Sequence, residues 1–290
     1  MWQERIKVEG PYDFDVGLKV LALDPLNSVD LGERQIKVPV YDPQPEAVTV
    51  RAIGTAADPE FIISGEREST REAVINRVTD IFQWNKPLGQ VHDHFSKSTL
   101  KPIFDALHGS PLILDFSPYG SLIKSIIHQQ LNLKFAIQLT TQFVHSFGYR
   151  KDGVWFYPQP ETIAEISSDT LRSMKFSQRK AEYIIGISRL AASGELNLKK
   201  LEQLSDEEIA SALIHIRGIG PWTVQNFLLF ALGRPNLFPK ADIGIQNALK
   251  KHFRLERKPT GEEMDKWSEE WHPYLSYASI YLWRSLDITE

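Results

Sequence analysis

Residues 216–223 read Ile-Arg-Gly-Ile-Gly-Pro-Trp-Thr, and this stretch decides the fold because it is a tight turn between two predicted helices. The first helix is predicted from residue 205, where Ser205-Asp206-Glu207-Glu208 matches the capping-box pattern and apolar residues follow at helical spacing. The second helix begins at Pro221, whose missing N–H would be unpaired in a first helical turn anyway. Gly233 is a typical residue at the end of such a helix. The pattern predicts a helical hairpin over residues 205–233.

The two glycines of this turn indicate what the hairpin binds. Gly218 and Gly220 let the backbone approach a partner closely, while Ile219 between them anchors the turn in a core. Exposed N–H groups at the start of the second helix, up to Thr223, form a site for a phosphate group. We therefore predict that Gly218, Gly220 and Thr223 bind the DNA backbone. An ordinary turn between two helices is the alternative.

An aspartate, Asp242, follows Gly220 by 22 residues and stands at the start of another predicted helix. This order resembles the helix-hairpin-helix DNA glycosylase superfamily. Within that superfamily the chain is most similar to the alkylation-repair branch, the DNA-3-methyladenine glycosylase II type. Four further segments carry the similarity: Pro11–Phe14, Ser125–Leu131, Phe176–Tyr183 and Trp271–Ala278. The resemblance covers nearly the whole chain, strongly from about 120 to 284 and weakly before 70.

Asp242 has two interpretations. By itself, an Asp before the apolar positions of a helix is an N-cap, which contributes about 1 kcal/mol. The resemblance implies catalysis, because cleavage of an N-glycosidic bond leaves positive charge on the deoxyribose and one carboxylate stabilises that charge or orients the attacking water. Both interpretations hold together, since a helix N-terminus helps to keep the carboxylate ionised. We predict that Asp242 is catalytic.

The residue at position 222 separates two mechanisms. Superfamily members that also cut the DNA strand carry a Lys two residues after the last Gly of the hairpin, and this Lys forms a Schiff base with the sugar. Trp222 stands there in this chain, so the resemblance implies a monofunctional N-glycosylase without lyase activity. Lys240 lies two residues before Asp242 and could in principle replace that nucleophile. A phosphate contact or a solvated surface position is the favoured interpretation of Lys240.

Aromatic residues suggest a pocket for a base that has left the duplex. Alkylation at ring nitrogens makes purines cationic, and aromatic faces attract such bases by stacking and cation–π contact. Trp222 and Trp283 match the pocket positions of the family. Other aromatic residues of the C-terminal region are predicted to be core: Trp267, Trp271 and Tyr277. At three positions where relatives can carry aromatic residues, this chain has other residues, and the resemblance therefore implies a shifted substrate range. These residues are Val20, Asn226 and Ile243.

Further DNA contacts are predicted in two places. The family carries its wedge, the side chain that fills the gap left by the flipped base, where this chain has Gln129, Gln130 and Leu131. Gln130 occupies the wedge position, although the apolar Leu131 beside it is the more usual type of residue, and polar residues at a helix end are the alternative. Arg179 and Lys180 are predicted phosphate contacts, with solvated charges as the alternative.

No cofactor is predicted to be required. The resemblance implies that backbone carbonyls of Ile214, Ile216 and Ile219 can hold a monovalent cation, Na or K, at the hairpin. His92 and His94 alternate about an Asp, but no third ligand follows nearby, so a metal site there is disfavoured.

Composition limits the remaining function classes. The chain has 290 residues, 42% of them apolar, and no Cys, which excludes disulfide frameworks, thiol nucleophiles and cysteine-held metal clusters. The net charge is −4, but residues 121–200 carry +5 and the rest −9, so the middle of the chain is basic. Neither a signal peptide nor a membrane span is readable, and we expect a cytoplasmic, bacterial-type, DNA-associated monomer.

The predicted fold class is α+β. Residues 1–95 should form an N-terminal antiparallel β-sheet domain with helices, with strands over 35–41 and 47–53 and a first helix after a capping box at 69–72. Residues 96–290 should form a mostly helical, two-lobed glycosylase core. One lobe is predicted at about 119–235, the other combines 96–118 with 236–290, and the active-site cleft lies between them.

The leading functional prediction is a glycosylase that flips and hydrolytically excises alkylated purines of the 3-methyladenine type from damaged double-stranded DNA in base excision repair. A non-catalytic helix-hairpin-helix DNA-binding protein is one alternative. A glycosylase for oxidised or deaminated bases is the other.

Overall fold

The N-terminal part of the computed structural model, which describes residues 1–286, is a five-stranded antiparallel sheet. Its spatial order is β1-β5-β4-β3-β2. The strands are β1 Trp2–Lys7, β2 Ser28–Asp30, β3 Gln35–Val40, β4 Glu46–Ala52 and β5 Glu60–Gly65. Helix α1, Phe14–Leu21, connects the first two strands.

Alternation of apolar residues explains the central strands. Every second residue of β4 is buried, and Val38 and Ile36 of β3 pair with Val48 and Val50 of β4 on one face of the sheet. The strands predicted over 35–41 and 47–53 are therefore confirmed to within one residue. Helix α1 was not predicted, because Gly and Asp around it favoured strands with turns. Asp13 caps this helix by accepting a hydrogen bond from the Val16 amide at 3.0 Å.

The rest of the described chain is mainly helical, as predicted. A small hairpin of β6, Tyr149–Lys151, and β7, Val154–Phe156, interrupts it. The helices are α2 Arg71–Ile81, α3 Leu88–Phe95, α4 Lys101–Ala106, α5 Pro118–His128, α6 Leu133–Phe147, α7 Pro160–Ala164, α8 Ser168–Ser173, α9 Gln178–Ser193, α10 Leu198–Leu201, α11 Asp206–Ile214, α12 Pro221–Asn226, α13 Ile243–His252, α14 Gly261–Ser268 and α15 Leu275–Ser285. A π-helical segment, Phe227–Ala231, continues α12, and short 3-10 turns span Glu68–Thr70 and Glu269–Trp271.

The capping box predicted at residues 69–72 is wrong. Thr70 precedes α2, but its side chain makes no capping bond, and its hydroxyl donates to the Glu46 carboxylate at 2.8 Å. Glu46 is fully buried, and a buried carboxylate must find hydrogen-bond donors. Ser69, the predicted N-cap, lies inside the 3-10 turn Glu68–Thr70, so α2 begins one residue later than the capping box requires.

Two hydrophobic cores organise the chain. The first contains residues of the sheet and of α2, α3, α4, α13 and α15. The second contains residues of all the helices from α5 through α12. Within the first core Phe95 stacks on Phe104, and Phe104 stacks on Tyr281 of α15, so apolar packing continues across residue 95. The domain boundary at 95 and the lobe limits stay predictions, and residues 287–290 of the last lobe lie outside the described part. No helix within residues 1–286 is long and apolar enough to cross a membrane.

Candidate active site

The helical hairpin has the predicted geometry. Ser205 and Glu208 form a complete capping box at α11, and Gly220 is the N-cap of α12. Gly218 has a φ of +99°, and a Cβ there would lie 2.3 Å from the Tyr183 ring, so only glycine fits. A Cβ at Gly220, in contrast, would meet nothing within 4 Å. The backbone at Gly220 is thus open to a partner, while Ile219 is buried in the second core.

Asp242 is the N-cap of α13 and lies between Trp222 of α12 and Trp283 of α15, whose indole groups both face its carboxylate. Its Oδ1 accepts hydrogen bonds from the amides of Gly244 at 2.8 Å and Ile245 at 3.1 Å. The Trp283 indole N–H of α15 donates to the same oxygen at 2.8 Å. Three donors therefore hold Oδ1 in place. Oδ2 faces the Trp222 indole N–H at 3.5 Å, the limit of a hydrogen bond, and remains available to a substrate.

The approach of Trp283 to Asp242 depends on Gly244. A Cβ at position 244 would lie 2.9 Å from the Trp283 ring and 3.0 Å from Asp242 Oδ1. The Trp283 ring also stacks on Phe230 of the π-helical segment, with ring centroids 5.7 Å apart. Sequence reasoning missed both Gly244 and Phe230. Glycine inside a helix is less favourable than alanine by about 1 kcal/mol. A glycine directly after the start of a predicted helix was therefore the sequence signal that could have identified Gly244.

Gln129 and Thr223 stabilise the hairpin from inside. The Gln129 side-chain amide donates to the Gly218 carbonyl at 2.9 Å and to the Thr223 hydroxyl at 2.8 Å. Thr223 is only 1% exposed. Both side chains are thus engaged within the hairpin, and their predicted contact with DNA stays a prediction. Gln130, next along the chain, is exposed with a φ of +55°, whereas Leu131 packs partly against the second core.

Lys180 of α9 also has an internal role. Its ammonium donates to the carbonyls of Ile127 and Gln129, which end α5, and burial lowers the pKa of this amine to about 8. A cation at a helix C-terminus satisfies carbonyls that the helix leaves unpaired. The predicted phosphate contact by Lys180 stays a prediction. Its neighbour Arg179 is exposed and has no hydrogen-bond partner within residues 1–286, so its charge is available to a ligand.

Other residues that the sequence singled out have different partners or pack into the core. Lys240 forms an ion pair with Asp265 of α14. The aromatic residues assigned to the core are buried or partly buried: Trp267, Trp271 and Tyr277. Asn226 is buried and donates to the Trp222 carbonyl at 2.7 Å, whereas Ile243 is 63% exposed.

The two histidines do not form a common site. His92 accepts from the Gly109 amide and contacts the Tyr281 hydroxyl, whereas His94 contacts the Glu270 carbonyl. No cluster of three or more possible metal-ligating side chains occurs among the described residues. At the hairpin, the Ile216 carbonyl accepts from the Ile219 amide at 3.0 Å. The cation at the carbonyls of Ile214, Ile216 and Ile219 stays a prediction.

A hairpin with an open glycine is thus followed in this chain by an aspartate at a helix N-terminus, and the comparison with known proteins gives the class to which this arrangement belongs. The family model of HhH-GPD superfamily base excision DNA repair proteins matches residues 123–273. The chain belongs to this superfamily. YfjP of Bacillus subtilis (strain 168), provisionally named a DNA-3-methyladenine glycosylase, is 54% identical over 289 residues, which cover 99% of this chain and 100% of that protein.

Two solved structures share the fold. The 3-methyladenine DNA glycosylase from Archaeoglobus fulgidus superposes with a TM-score of 0.84 at 24% identity, over 98% of each chain. The 3-methyladenine DNA glycosylase Mag1 of Schizosaccharomyces pombe, in complex with abasic DNA, superposes with a TM-score of 0.62 at 29% identity. That alignment covers 69% of this chain and 98% of Mag1. The α+β fold class is thus confirmed.

Proposed function

We propose that this chain is a monofunctional DNA glycosylase that flips alkylated purines of the 3-methyladenine type out of duplex DNA and excises them by hydrolysis. The observation that carries the proposal is the geometry of Asp242. Three donors fix Oδ1, and Oδ2 remains for the sugar. As the glycosidic bond breaks, positive charge grows on the deoxyribose, and a preorganised carboxylate stabilises it without having to reorient. Water then adds to the sugar and leaves an abasic site.

The surroundings of Asp242 support hydrolysis rather than attack by an amine. Trp222 has no nucleophilic amine and stands where lyases of the superfamily carry Lys. Lys240 pairs with Asp265, which occupies its ammonium. Water is therefore the nucleophile in the proposal, and a covalent enzyme–DNA intermediate is not part of it.

In this proposed function the protein holds damaged double-stranded DNA mainly through the sugar-phosphate backbone of the DNA. The amides at Gly218 and Gly220 and the free guanidinium of Arg179 bind phosphates. Gln130 fills the gap left by the flipped nucleotide, because it is exposed at the tip of its turn while Leu131 is partly buried. A Na or K ion at the carbonyls of Ile214, Ile216 and Ile219 would help to bridge the hairpin to a phosphate, and no other cofactor is required.

The relatives support the choice of substrate. YfjP and Mag1 both carry names that refer to 3-methyladenine, and Mag1 was solved with the abasic DNA that such an enzyme produces. The aromatic rings of Trp222 and Trp283 beside Asp242 suit a cationic purine. We infer that the protein acts as a monomer in the cytoplasm of a bacterial-type cell, as part of base excision repair.

Base release tests this function directly. Purified protein is incubated with duplex DNA treated with a methylating agent, and with matched duplexes that carry one 8-oxoguanine or one hypoxanthine. We expect 3-methyladenine to be released faster than the other two bases, with an intact DNA strand until alkali is added. Faster release of 8-oxoguanine or hypoxanthine would establish a different substrate class, and binding without any release would establish a non-catalytic DNA-binding protein.

A further inference from the structure

Trp283 stands in the last turn of α15, and its indole must stay in place if Asp242 Oδ1 is to keep its third donor. The last turn of a helix is where fraying begins. The next residue, Arg284, donates to the hydroxyl of the buried Ser110 and anchors its own side of the helix. Trp283 is only partly buried, so its ring needs a support of its own.

Phe230 supplies that support. Its ring stacks on Trp283 with centroids 5.7 Å apart and an angle of 27° between the ring planes. Aromatic pairs at this separation stabilise each other beyond the area that they bury. The stack uses the face of the indole, whereas the bond to Asp242 uses the N–H edge. The two contacts therefore fix the indole in two different directions.

The backbone of Phe230 is held from outside its own helix. Phe230 lies in the π-helical segment Phe227–Ala231, and such segments are rare and often occur at functional sites. The Arg234 amide, which would pair with the Phe230 carbonyl in an α-helix, bonds to the Leu228 carbonyl at 3.0 Å. The Phe230 carbonyl accepts instead from the Asp115 amide at 2.8 Å.

The segment around Asp115 is fixed in turn to the N-terminal part of the chain. The Leu114 amide donates to the Ile81 carbonyl at the end of α2 at 2.8 Å. The Arg77 guanidinium, also of α2, donates to the Phe116 carbonyl at 3.0 Å. A continuous series of contacts thus leads from α2 through this segment to Phe230 and on to the candidate active site.

We propose that Phe230 is a positioning residue for base release, and that it acts by holding the Trp283 indole N–H on Asp242 Oδ1. This inference rests on the proposed function, because it explains how the carboxylate of the same reaction is kept in its orientation. Without the stack the indole leaves the carboxylate for part of the time, and Oδ2 loses its fixed direction towards the sugar. A small misplacement of a reacting group is costly for rate even where substrate binding is kept.

Hydrogen exchange of the Trp283 indole tests the contact without DNA or catalysis. Its N–H signal in the NMR spectrum is identified by its absence in Trp283→Phe. We expect Phe230→Leu to accelerate exchange of this N–H about tenfold, the opening that loss of one aromatic stack permits. Phe253→Leu is the matched control, because it removes a stack on Trp267, with centroids 4.3 Å apart, at the far end of α13. Exchange at Trp283 should be unchanged in this control.

Single-turnover base release tests the consequence for the reaction. Phe230→Leu should slow release about tenfold and keep the affinity for abasic-analogue DNA within a few-fold of wild type. Phe230→Tyr keeps the ring and should restore the rate, and Phe253→Leu should release bases like wild type. Trp283→Phe keeps a ring but has no N–H. In that background Phe230→Leu should slow release by less than about twofold, because the two residues act through one hydrogen bond.

Melting temperatures verify that each variant folds, and Phe230→Met replaces Phe230→Leu if the latter does not. Unchanged exchange at Trp283, equal losses in Phe230→Leu and Phe253→Leu, or a full further loss in the Trp283→Phe background would overturn the inference. Absence of base release by the wild type would overturn the proposed function. The exchange measurement would still decide whether Phe230 holds Trp283, so the two failures are distinguishable.

Discussion

Replacing Asp242 by Asn isolates the charge of the carboxylate from its structural role. Asn caps helices about as well as Asp, so its amide oxygen can keep the hydrogen bonds from Gly244, Ile245 and Trp283 at Oδ1. The amide NH2 then occupies the place of Oδ2, and it faces the sugar with hydrogen atoms instead of negative charge. We therefore expect a folded protein that binds DNA and has lost most of its catalytic power.

The size of the loss follows from electrostatics. A unit charge about 4 Å from a carboxylate oxygen, at an effective dielectric constant of about 20, is stabilised by about 4 kcal/mol. Each 1.36 kcal/mol changes a rate tenfold, so single-turnover base release should fall about 10³-fold. Asp242→Ala should lose a similar rate and also about 1 kcal/mol of the free energy of unfolding, because the cap disappears.

The assay for these variants is release of 3-methyladenine from methylated duplex DNA with enzyme in excess. Affinity for a duplex with a stable abasic analogue is measured in parallel and should stay within a few-fold of wild type. Base release by Asp242→Asn within tenfold of the wild-type rate would refute the catalytic assignment. Asp242 would then be only a helix cap.

Four further measurements test the rest of the site. Borohydride should trap no enzyme–DNA adduct, and an adduct that disappears in Lys240→Ala would contradict the hydrolytic mechanism. Gly220→Val should fold normally, because the space there is open, but should weaken binding to every duplex alike and leave base preference unchanged. Wild-type affinity, with an unchanged dependence on salt, would show that the hairpin is only a turn. Lys180→Met should slow single-turnover base release more than it weakens DNA affinity, because the wedge turn loses the ammonium that holds it, whereas the control Arg179→Met should mainly weaken affinity. Identical behaviour of the two variants would contradict these roles. Burial lowers the pKa of His128 from 6.5 to about 4, so unfolding takes up a proton between these pH values and stability should fall as the pH drops from 6.5 towards 4. In denaturant titrations His128→Gln should show a smaller loss of stability over this range, and an equal loss would contradict the assignment.

The sequence by itself determined the local elements of this protein. Period-two alternation located β3 and β4, and the capping box at Ser205 located the start of α11. The turn glycine Gly218 and the N-cap position of Asp242 could also be predicted from the sequence. Each of these depends on interactions between residues only a few positions apart, and such interactions leave a regular pattern in the chain.

Only the tertiary structure decided which distant groups those elements meet. Trp283 binds Asp242 across 41 residues, and Gln129 binds Gly218 across 89. Thr223 and Lys180 show the same dependence, because the structure pairs Thr223 with Gln129, and Lys180 with the carbonyls that end α5. No local pattern predicted either contact. Buried donors and acceptors take whichever partner the packing of whole helices brings within about 3 Å. That choice depends on the arrangement of both cores at once, and no local pattern in the chain records it.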